Sequence, residues 1–257
     1  MSTVLLDVKD ASIAFGGLKA VDRFALELPQ GSLQGLIGPN GAGKTTVFNL
    51  LTGVYPADTG SIALAGRSLR GLRPYQIAAA GIARTFQNIR LFGNLSVLDN
   101  VRIATHCRTM GSLAGSVLRG AASVGEERAM EERAHMLLEI FGLDTRADEQ
   151  ARNLPYGDQR RLEIARALST SPSVLLLDEP AAGMNPHEKL ALKALVQKVR
   201  KDFAVTILLI EHDMGVVMDI CEHLTVLDHG QIIAVGTPAE VQKDPKVIEA
   251  YLGIVEA

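Results

Sequence analysis

The chain has 257 residues, a formal net charge of -3 and 47% hydrophobic residues. This length suits one large domain or two small ones, and the scattered basic residues argue against a nucleic-acid partner. Its longest apolar runs, such as Val174 to Leu177, are far shorter than a membrane-spanning helix requires, and the first residues do not predict a secretory signal. We therefore expect a cytosolic protein. Cys107 and Cys221 are far apart and belong to no cluster, which predicts neither a disulfide nor a zinc site.

The first third of the chain opens with strand-like segments. Val4 to Val8, Ser12 to Phe15 and Ala20 to Leu28 are rich in β-forming residues and separated by turn residues. Phe15 ends one of these segments beside a glycine pair, where its ring could stack on a purine base for about 1 to 3 kcal/mol. The same position suits an ordinary core phenylalanine equally well.

A glycine-rich stretch follows the apolar run Leu33 to Ile37 and precedes a second apolar run. The stretch consists of Gly38, Pro39, Asn40, Gly41, Ala42, Gly43, Lys44, Thr45 and Thr46. A strand, a glycine-rich loop and a helix in this order predict a phosphate-binding loop, in which backbone N–H groups converge on phosphate oxygens. In that loop Lys44 supplies a charge for the β and γ phosphates, and Thr45 offers a hydroxyl to Mg²⁺.

The next segments predict a return to the sheet. Gly60 to Gly66 is typical of a short hairpin strand, Pro74 to Ala80 of a short helix, and Ile82 to Phe86 of another strand. That strand leads to Gln87, whose amide could ligate Mg²⁺ or orient a water molecule. A solvated loop residue is the other interpretation of Gln87.

The region after Gln87 has a different composition and predicts helices. Ile89 to Leu95 is an apolar loop segment without a period, which is a sign of partner binding. Ser96 is expected to cap a helix from Val97 to Thr105. Met110 to Gly125 is rich in Gly, Ala and Ser and is interpreted as a poorly ordered or loosely helical connection, whereas Glu126 to Phe141 is typical of an amphipathic helix.

A second glycine-bearing loop occurs at residues 153–159. It leads into a predicted helix from Arg160 to Leu168. Because the N-terminus of a helix attracts anions, this loop is a second potential phosphate site.

One fully apolar run and one largely apolar run are typical of buried parallel strands, and both are followed by polar residues. Val174 to Leu177 leads to Asp178 and Glu179, and Val205 to Ile210 leads to His212. The carboxyl ends of such strands are where α/β sheets bind ligands. Asp178 suits a Mg²⁺ ligand, Glu179 could accept a proton from water or hold that water in line, and His212 could reach a γ-phosphate.

The remaining segments are a helix from Pro186 to Phe203, a hairpin formed by Leu224 to Leu227 and Gln231 to Val235, and a helical tail from Thr237 to Leu252.

The order of these motifs closely resembles that of the nucleotide-binding subunits of ABC transporters, from Val4 to about Gly236. Five shorter runs resemble the Liv-type branch, which powers the uptake of branched-chain amino acids. These runs are Gly81 to Phe92, Arg160 to Leu168, Glu179 to Pro186, Ile210 to Met214 and Tyr251 to Gly253.

The resemblance implies an α/β fold of the P-loop NTPase class, with a mixed sheet core, an antiparallel β subdomain and an inserted α-helical subdomain. Residues 1–257 would then form one ABC-type domain. Its core would comprise residues 1–87 and 171–235, its helical insertion residues 88–170, and its tail residues 236–257.

The resemblance also implies partners and roles. Two ATPase subunits, identical or paralogous, would close head to tail around ATP and Mg²⁺, and would drive two transmembrane permease subunits served by a substrate-binding protein. The chain would lie peripherally on the cytoplasmic face of the cell membrane.

By the same resemblance, Phe15 would stack on adenine. Gln87 would be the hinge toward the permeases, whose coupling helices would dock on the loop and helix that follow it. The Mg²⁺ ligands would be Thr45, Gln87 and Asp178.

Two alternatives share much of this pattern: an ABC ATPase of a lipid or lipopolysaccharide exporter, and a soluble ABC ATPase of an assembly machine. The exporter is the closer alternative. The insertion rich in Ala, Gly and Ser and the segment from Gln87 to Val101 favour the importer.

The signature loop departs from the family's Leu-Ser-Gly-Gly-Gln. The matching positions are Leu154, Pro155, Tyr156, Gly157 and Asp158. Pro155 removes a hydroxyl and a backbone donor, and Asp158 puts a negative charge where a phosphate would bind, unless Arg160 or Arg161 offsets it. The hypothesis is that the composite site using this signature is the weaker of the two.

Overall fold

A computed structural model describes residues 3–105 and 121–252 of the chain. The described residues form two compact units, one within 1–87 and 173–257 and the other within 88–172. In the described ranges, no helix has both the length and the apolar character needed to cross a membrane.

Ten strands lie in the first unit. They are β1 (Val4–Phe15), β2 (Leu18–Pro29), β3 (Leu33–Ile37), β4 (Thr59–Leu64), β5 (Arg67–Ser68), β6 (Ile82–Arg84), β7 (Val174–Asp178), β8 (Thr206–Ile210), β9 (His223–Asp228) and β10 (Gln231–Gly236). The α-helices of the whole described chain are α1 (Lys44–Leu51), α2 (Pro74–Ala80), α3 (Val97–Thr105), α4 (Ala121–Phe141), α5 (Tyr156–Ser169), α6 (Pro186–Asp202), α7 (Met214–Ile220), α8 (Pro238–Val241) and α9 (Pro245–Leu252).

The first sheet is antiparallel and has the strand order β2-β1-β4-β5. The prediction of two separate strands before Gly16 is wrong, because β1 runs without interruption from Val4 to Phe15. It passes through Asp10 with a φ of 49°, and its register against β2 shifts between Val8 and Ala11. The extra residue at such a shift bends the strand without ending it.

The second sheet has the order β10-β9-β3-β8-β7-β6, and all its strands except β10 are parallel. Every residue of β3, β7 and β8 is buried. The apolar segments before Asp178 and Glu211 predict this burial for β7 and β8, whereas β3 also buries the polar Gln34. The carboxyl ends of β3, β6, β7 and β8 therefore lie on one edge of the sheet. One hydrophobic core, which includes Leu6, Phe24, Phe48 and Leu176, packs between the two sheets and α1.

The second unit is helical. The predicted cap is present, because the hydroxyl of Ser96 accepts the backbone N–H of Asp99 at 3.0 Å at the start of α3. Helix α5 begins at Tyr156 and not at Arg160 as predicted, because Pro155 stands at the N-cap with the extended backbone that precedes a helix. Residues 110–120 of the predicted loose connection lie outside the described residues, and residues 121–125 belong to α4.

The tail differs from the single predicted helical segment. Its described residues form two helices, α8 and α9, and the second begins at Pro245. A proline is favoured in the first turn of a helix but disrupts a helix interior, so the second helix starts anew at that residue.

Candidate nucleotide-binding and catalytic site

The phosphate-binding loop connects β3 to α1 and has the backbone that its glycines allow. Gly43 stands at the N-cap of α1 with a φ of 102°. A Cβ atom at Gly38, whose φ is 150°, would lie 1.9 Å from the carbonyl oxygen of Leu227. Both positions therefore require glycine, and the loop lies directly against the end of β9.

The N-terminus of α1 is open to an anion. No side chain caps this helix, and its first turn contains no acidic residue. The first backbone N–H groups of a helix lack intrahelical partners and carry a partial positive charge. The loop therefore fits a phosphate group.

Lys44 lies inside this loop. Its ammonium donates to the carbonyl oxygens of Gly38 at 2.7 Å and Pro39 at 2.8 Å. Burial lowers the pKa of Lys44, and the carboxylates of Glu179 and Asp178 act in the opposite direction. Negative charge near Lys44 therefore favours its charged form, as a phosphate would.

Asp178, at the end of β7, is held by Arg84 of β6. A guanidinium nitrogen of Arg84 lies 2.7 Å from Asp178 Oδ2, and both side chains are buried, with 6% and 4% exposure. A second nitrogen of Arg84 donates to Asn49 of α1 at 2.7 Å. The guanidinium lies over the rings of Phe48 and Phe86. This one side chain therefore connects two strand ends and the helix after the phosphate-binding loop.

Glu179 follows Asp178 and contacts two of the other predicted residues. The amide of Gln87 donates to Glu179 Oε2 at 2.9 Å, and His212 Nδ1 lies 3.4 Å from the same oxygen. Glu179 has a φ of 46°, which is uncommon for a residue with a side chain. Three residues predicted from separate strand ends thus meet at one carboxylate.

Glu211, at the end of β8, forms a buried anchor beside this group. Its carboxylate accepts the backbone N–H groups of Ala181 at 2.6 Å, His212 at 3.2 Å and Asp213 at 3.4 Å. Burial raises the pKa of Glu211, and these backbone donors act against that rise. The sheet edge therefore fixes the loops after β7 and β8 to each other.

Phe15 is not a core residue, since it is 45% exposed at the end of β1. Its ring meets Tyr55 edge-on, with the centroids 5.1 Å apart. The carboxylate of Asp58 accepts the backbone N–H of Ala14 at 2.9 Å, which holds the end of β1. Phe15 is thus a supported, exposed aromatic ring.

The signature loop belongs to the second unit. Leu154 is buried, whereas Pro155 and Tyr156 are exposed and Gly157 is partly buried in the first turn of α5. Asp158 lies 3.3 Å from a guanidinium nitrogen of Arg146 and 3.6 Å from one of Arg161. Of the two arginines expected to offset Asp158, only Arg161 does so, because Arg160 pairs with Glu163.

Arg84, Glu211 and Arg146 are not singled out by the sequence patterns. Arg84 carries a signal, since a single charge inside a predicted buried strand requires a counter-ion. Glu211 carries the same signal as Glu179, since each is a glutamate that follows a predicted buried strand. The sequence pattern does not distinguish their roles.

The possible metal ligands near the phosphate-binding loop suit a cation that is also bound by the phosphates of a nucleotide. In residues 3–105 and 121–252 no cluster of three or more His, Cys, Asp and Glu side chains could hold a metal ion alone. Mg²⁺ is usually bound through one or two carboxylates together with substrate phosphates. The residue types of Thr45, Gln87 and Asp178 fit that requirement.

A parallel sheet in which a phosphate-binding loop joins an inner strand to a helix defines the class of P-loop nucleoside triphosphatases. A profile of the ABC transporter family matches residues 21–182. A profile of the branched-chain amino acid ATP-binding cassette transporters matches residues 231–257. The chain therefore belongs to the ABC transporter family, as one of its ATP-hydrolysing subunits.

Individual proteins are similar over almost the whole chain. The high-affinity branched-chain amino acid transport ATP-binding protein LivG of Salmonella typhimurium is 48% identical over 98% of this chain and 99% of its own. The lipopolysaccharide export system ATP-binding protein LptB of Escherichia coli is 34% identical over 96% and 97%. The crystal structure of the ADP conformation of the ATP-binding cassette MJ1267 has a TM-score of 0.86 and 32% identity, covering 98% of this chain and 100% of that one. The predicted fold class and the predicted family are confirmed.

Proposed function

We propose that the chain is the ATP-hydrolysing motor subunit of an importer for branched-chain amino acids. The observation that carries this proposal is the 48% identity to LivG over 98% of the chain. The profile match at residues 231–257 extends the same relationship to the tail. The chain acts on the cytoplasmic face of the membrane, bound to two permease subunits that a substrate-binding protein serves. Nucleic acid takes no part.

The phosphate-binding loop binds ATP. Lys44 and the backbone of the loop hold the β and γ phosphates, and Phe15 stacks on the adenine. The exposed ring of Phe15 and the uncapped start of α1 support these roles. Tyr55 fixes the orientation of Phe15 from its edge.

Glu179 is the general base for the attacking water. A base requires an accessible carboxylate in a fixed orientation. Gln87 and His212 contact Glu179 Oε2 at 2.9 and 3.4 Å, which supports an orienting role for both. His212 and Gln87 thereby place the proton acceptor toward the γ-phosphate.

Thr45, Gln87 and Asp178 would hold Mg²⁺. When bound, the cation neutralises charge on the β and γ phosphates. Because Arg84 contacts Oδ2 of Asp178, the orientation of this carboxylate is fixed by the protein itself.

The partner ATPase subunit, identical or paralogous, binds head to tail, so that each signature loop faces the ATP of the other subunit. Within one domain, residues 1–87 and 171–235 form the ATP-binding core, and residues 236–257 a tail. Residues 88–170 carry the signature loop, and the segment from Gln87 to Val101 docks the coupling helices of the permeases.

The substitution Asp158→Gln tests whether the charge of Asp158 weakens the signature loop. If the composite site using this signature is the weaker one, Asp158→Gln raises the ATPase rate of the assembled complex. The pairing of Asp158 with Arg146 and Arg161 offsets part of its charge, so we expect a gain of about threefold. An unchanged rate would show that the two arginines offset the charge completely, and would overturn the weaker-site hypothesis.

The assembly is tested by purification. The tagged chain with Glu179→Gln is extracted from host membranes in detergent with ATP, and its partners are identified by mass spectrometry. We expect two polytopic membrane proteins and a second ATPase, followed by ATP-dependent leucine uptake in vesicles reconstituted with the complex that carries the unsubstituted chain. Recovery of soluble partners alone would contradict a transporter role and support an assembly machine.

The 34% identity to LptB keeps lipopolysaccharide export as the second candidate. Co-purification with permeases that move lipopolysaccharide, without leucine uptake, would favour it over the importer.

A further inference from the structure

Helix α5 of the second unit contains a fully buried ion pair. A guanidinium nitrogen of Arg160 lies 3.0 Å from Glu163 Oε2, and the two side chains are 0% and 1% exposed. Well-packed apolar residues of similar size often give equal or greater stability than a buried ion pair. Stability alone therefore does not account for Arg160 and Glu163. Their hydrogen bonds to other groups provide the explanation.

Arg160 orients a residue of the signature loop. A second guanidinium nitrogen donates to the hydroxyl of Tyr156 at 3.0 Å. The same guanidinium lies 5.7 Å from the centroid of the Tyr156 ring. Because Tyr156 stands four residues before Arg160, the two side chains lie on the same face of α5, and this contact holds the ring on that face. The start of α5, which no side chain caps, then presents its backbone N–H groups.

Glu163 orients a second segment with its other oxygen. Oε1 accepts the backbone N–H of Arg90 at 3.3 Å. Arg90 belongs to the loop of residues 88–95 that precedes α3. Asn100, which is fully buried, holds the same loop by accepting the N–H of Phe92 and donating to its carbonyl. One ion pair thus contacts both the signature loop and a firmly held loop that the proposed permease contact includes.

We propose that Arg160 and Glu163 are positioning residues that hold Tyr156 clear of the signature helix start and fix it to the loop of residues 88–95. They set the signature loop for the ATP of the partner subunit. The proposal rests on the head-to-tail arrangement given above.

The test separates binding of ATP to the chain's own phosphate-binding loop from ATP-driven closure on a partner. The parent is the full chain with Glu179→Gln, paired with itself or with the second ATPase recovered by purification. Equilibrium dialysis at low protein concentration measures ATP affinity, and analytical ultracentrifugation with ATP measures the dissociation constant of the ATPase dimer.

The main variant adds Arg160→Met and Glu163→Leu, which replaces the ion pair by apolar side chains of similar size. We expect its melting temperature to equal or exceed that of the parent, since the desolvation cost is removed. ATP affinity stays within twofold of the parent value, whereas the dissociation constant of the dimer rises at least tenfold. A merely structural role would not produce this split.

The control is the exposed pair Arg128 and Glu132 on α4, whose side chains are 81% and 68% exposed. Arg128→Met with Glu132→Leu leaves melting, ATP affinity and dimerisation at parent values.

Tyr156→Phe removes only the hydroxyl and serves if the double variant fails to fold. We expect the dissociation constant of the dimer to rise about threefold. The variant loses one hydrogen bond to a charged group, but the ring still contacts the guanidinium, so the effect is smaller than that of the double variant. The inference is overturned if the folded double variant, or Tyr156→Phe in its place, dimerises like the parent. If the parent itself stays monomeric with ATP, the head-to-tail arrangement fails and the inference fails with it.

Discussion

The ends of β7 and β8 are neighbours in one sheet, and each is followed by a glutamate with different surroundings. The side chain of Glu179 is 17% exposed and contacts the side chains of Gln87 and His212. Glu211 is fully buried and accepts three backbone N–H groups. Side chains can move during a reaction cycle, whereas backbone donors are fixed. This difference supports the proposal that Glu179 accepts the proton, whereas Glu211 holds the loops after β7 and β8.

The two acids also depend on each other. Glu179 has a backbone conformation that is costly for a residue with a side chain, and such conformations persist only where the surroundings hold them. Glu211 supplies part of that support, because it accepts the N–H of Ala181, two residues after Glu179. The carboxylate proposed to be the general base is thus held in place in part by Glu211.

The largest effect is expected from Glu179→Gln. If Glu179 is the proposed general base, its loss lowers the ATPase rate by about 100-fold or more, whereas ATP binding stays within the parent range. Steady-state phosphate release and equilibrium ATP binding measure the two quantities. Glu211→Gln is the matched variant and retains most of the rate. Equal losses in both variants would contradict the division of roles.

Arg84→Met tests whether Asp178, at the end of β7, depends on its ion pair with Arg84. The comparison is with Glu211 at the end of β8, which depends on its backbone donors. It leaves the Asp178 carboxylate buried without its counter-ion, which costs about 3 to 5 kcal/mol of the free energy of unfolding. Urea denaturation measures this cost. Arg67→Met, on the exposed strand β5, is the control and changes the same quantity by no more than about 0.5 kcal/mol. A similar small change for Arg84→Met would show that Asp178 needs no such partner.

Apolar segments predict β7 and β8, and the strand-like segment followed by the glycine pattern predicts β3 and the loop before α1, because these signals are local. The Arg84–Asp178 pair joins residues 94 positions apart, which only the strand order brings together. The different surroundings of Glu179 and Glu211 likewise depend on the loops that pack on them. The start of α5 at Tyr156 was missed because Pro155 and Gly157 weaken the helical signal there.

His212→Asn sharpens the account of Glu179. The side chain of His212 is 56% exposed, so its loss changes the free energy of unfolding by no more than about 0.5 kcal/mol. Gln87 still contacts Glu179, so we expect the ATPase rate to fall about tenfold, a part of the full contribution of a general base. Steady-state kinetics at saturating ATP provide the rate. A loss as large as that of Glu179→Gln would assign His212 a direct catalytic role.

The smallest effect concerns the pH dependence of stability through Glu211. Burial raises its pKa above the ordinary value of 4.5, so between the unfolded and folded pKa values the folded chain holds more protons. The stabilising contribution of this protonation is complete below the unfolded pKa and is lost as pH rises through the folded pKa. Glu211→Gln has no titrating group at this position, so its stability does not change with pH for this reason. The free energy of unfolding of the parent minus that of the variant therefore declines as pH rises above 4.5, by at most about 1.4 kcal/mol per pH unit. Urea denaturation of both proteins from pH 5 upward measures the difference, and parallel profiles would mean that the backbone donors keep Glu211 ionised throughout.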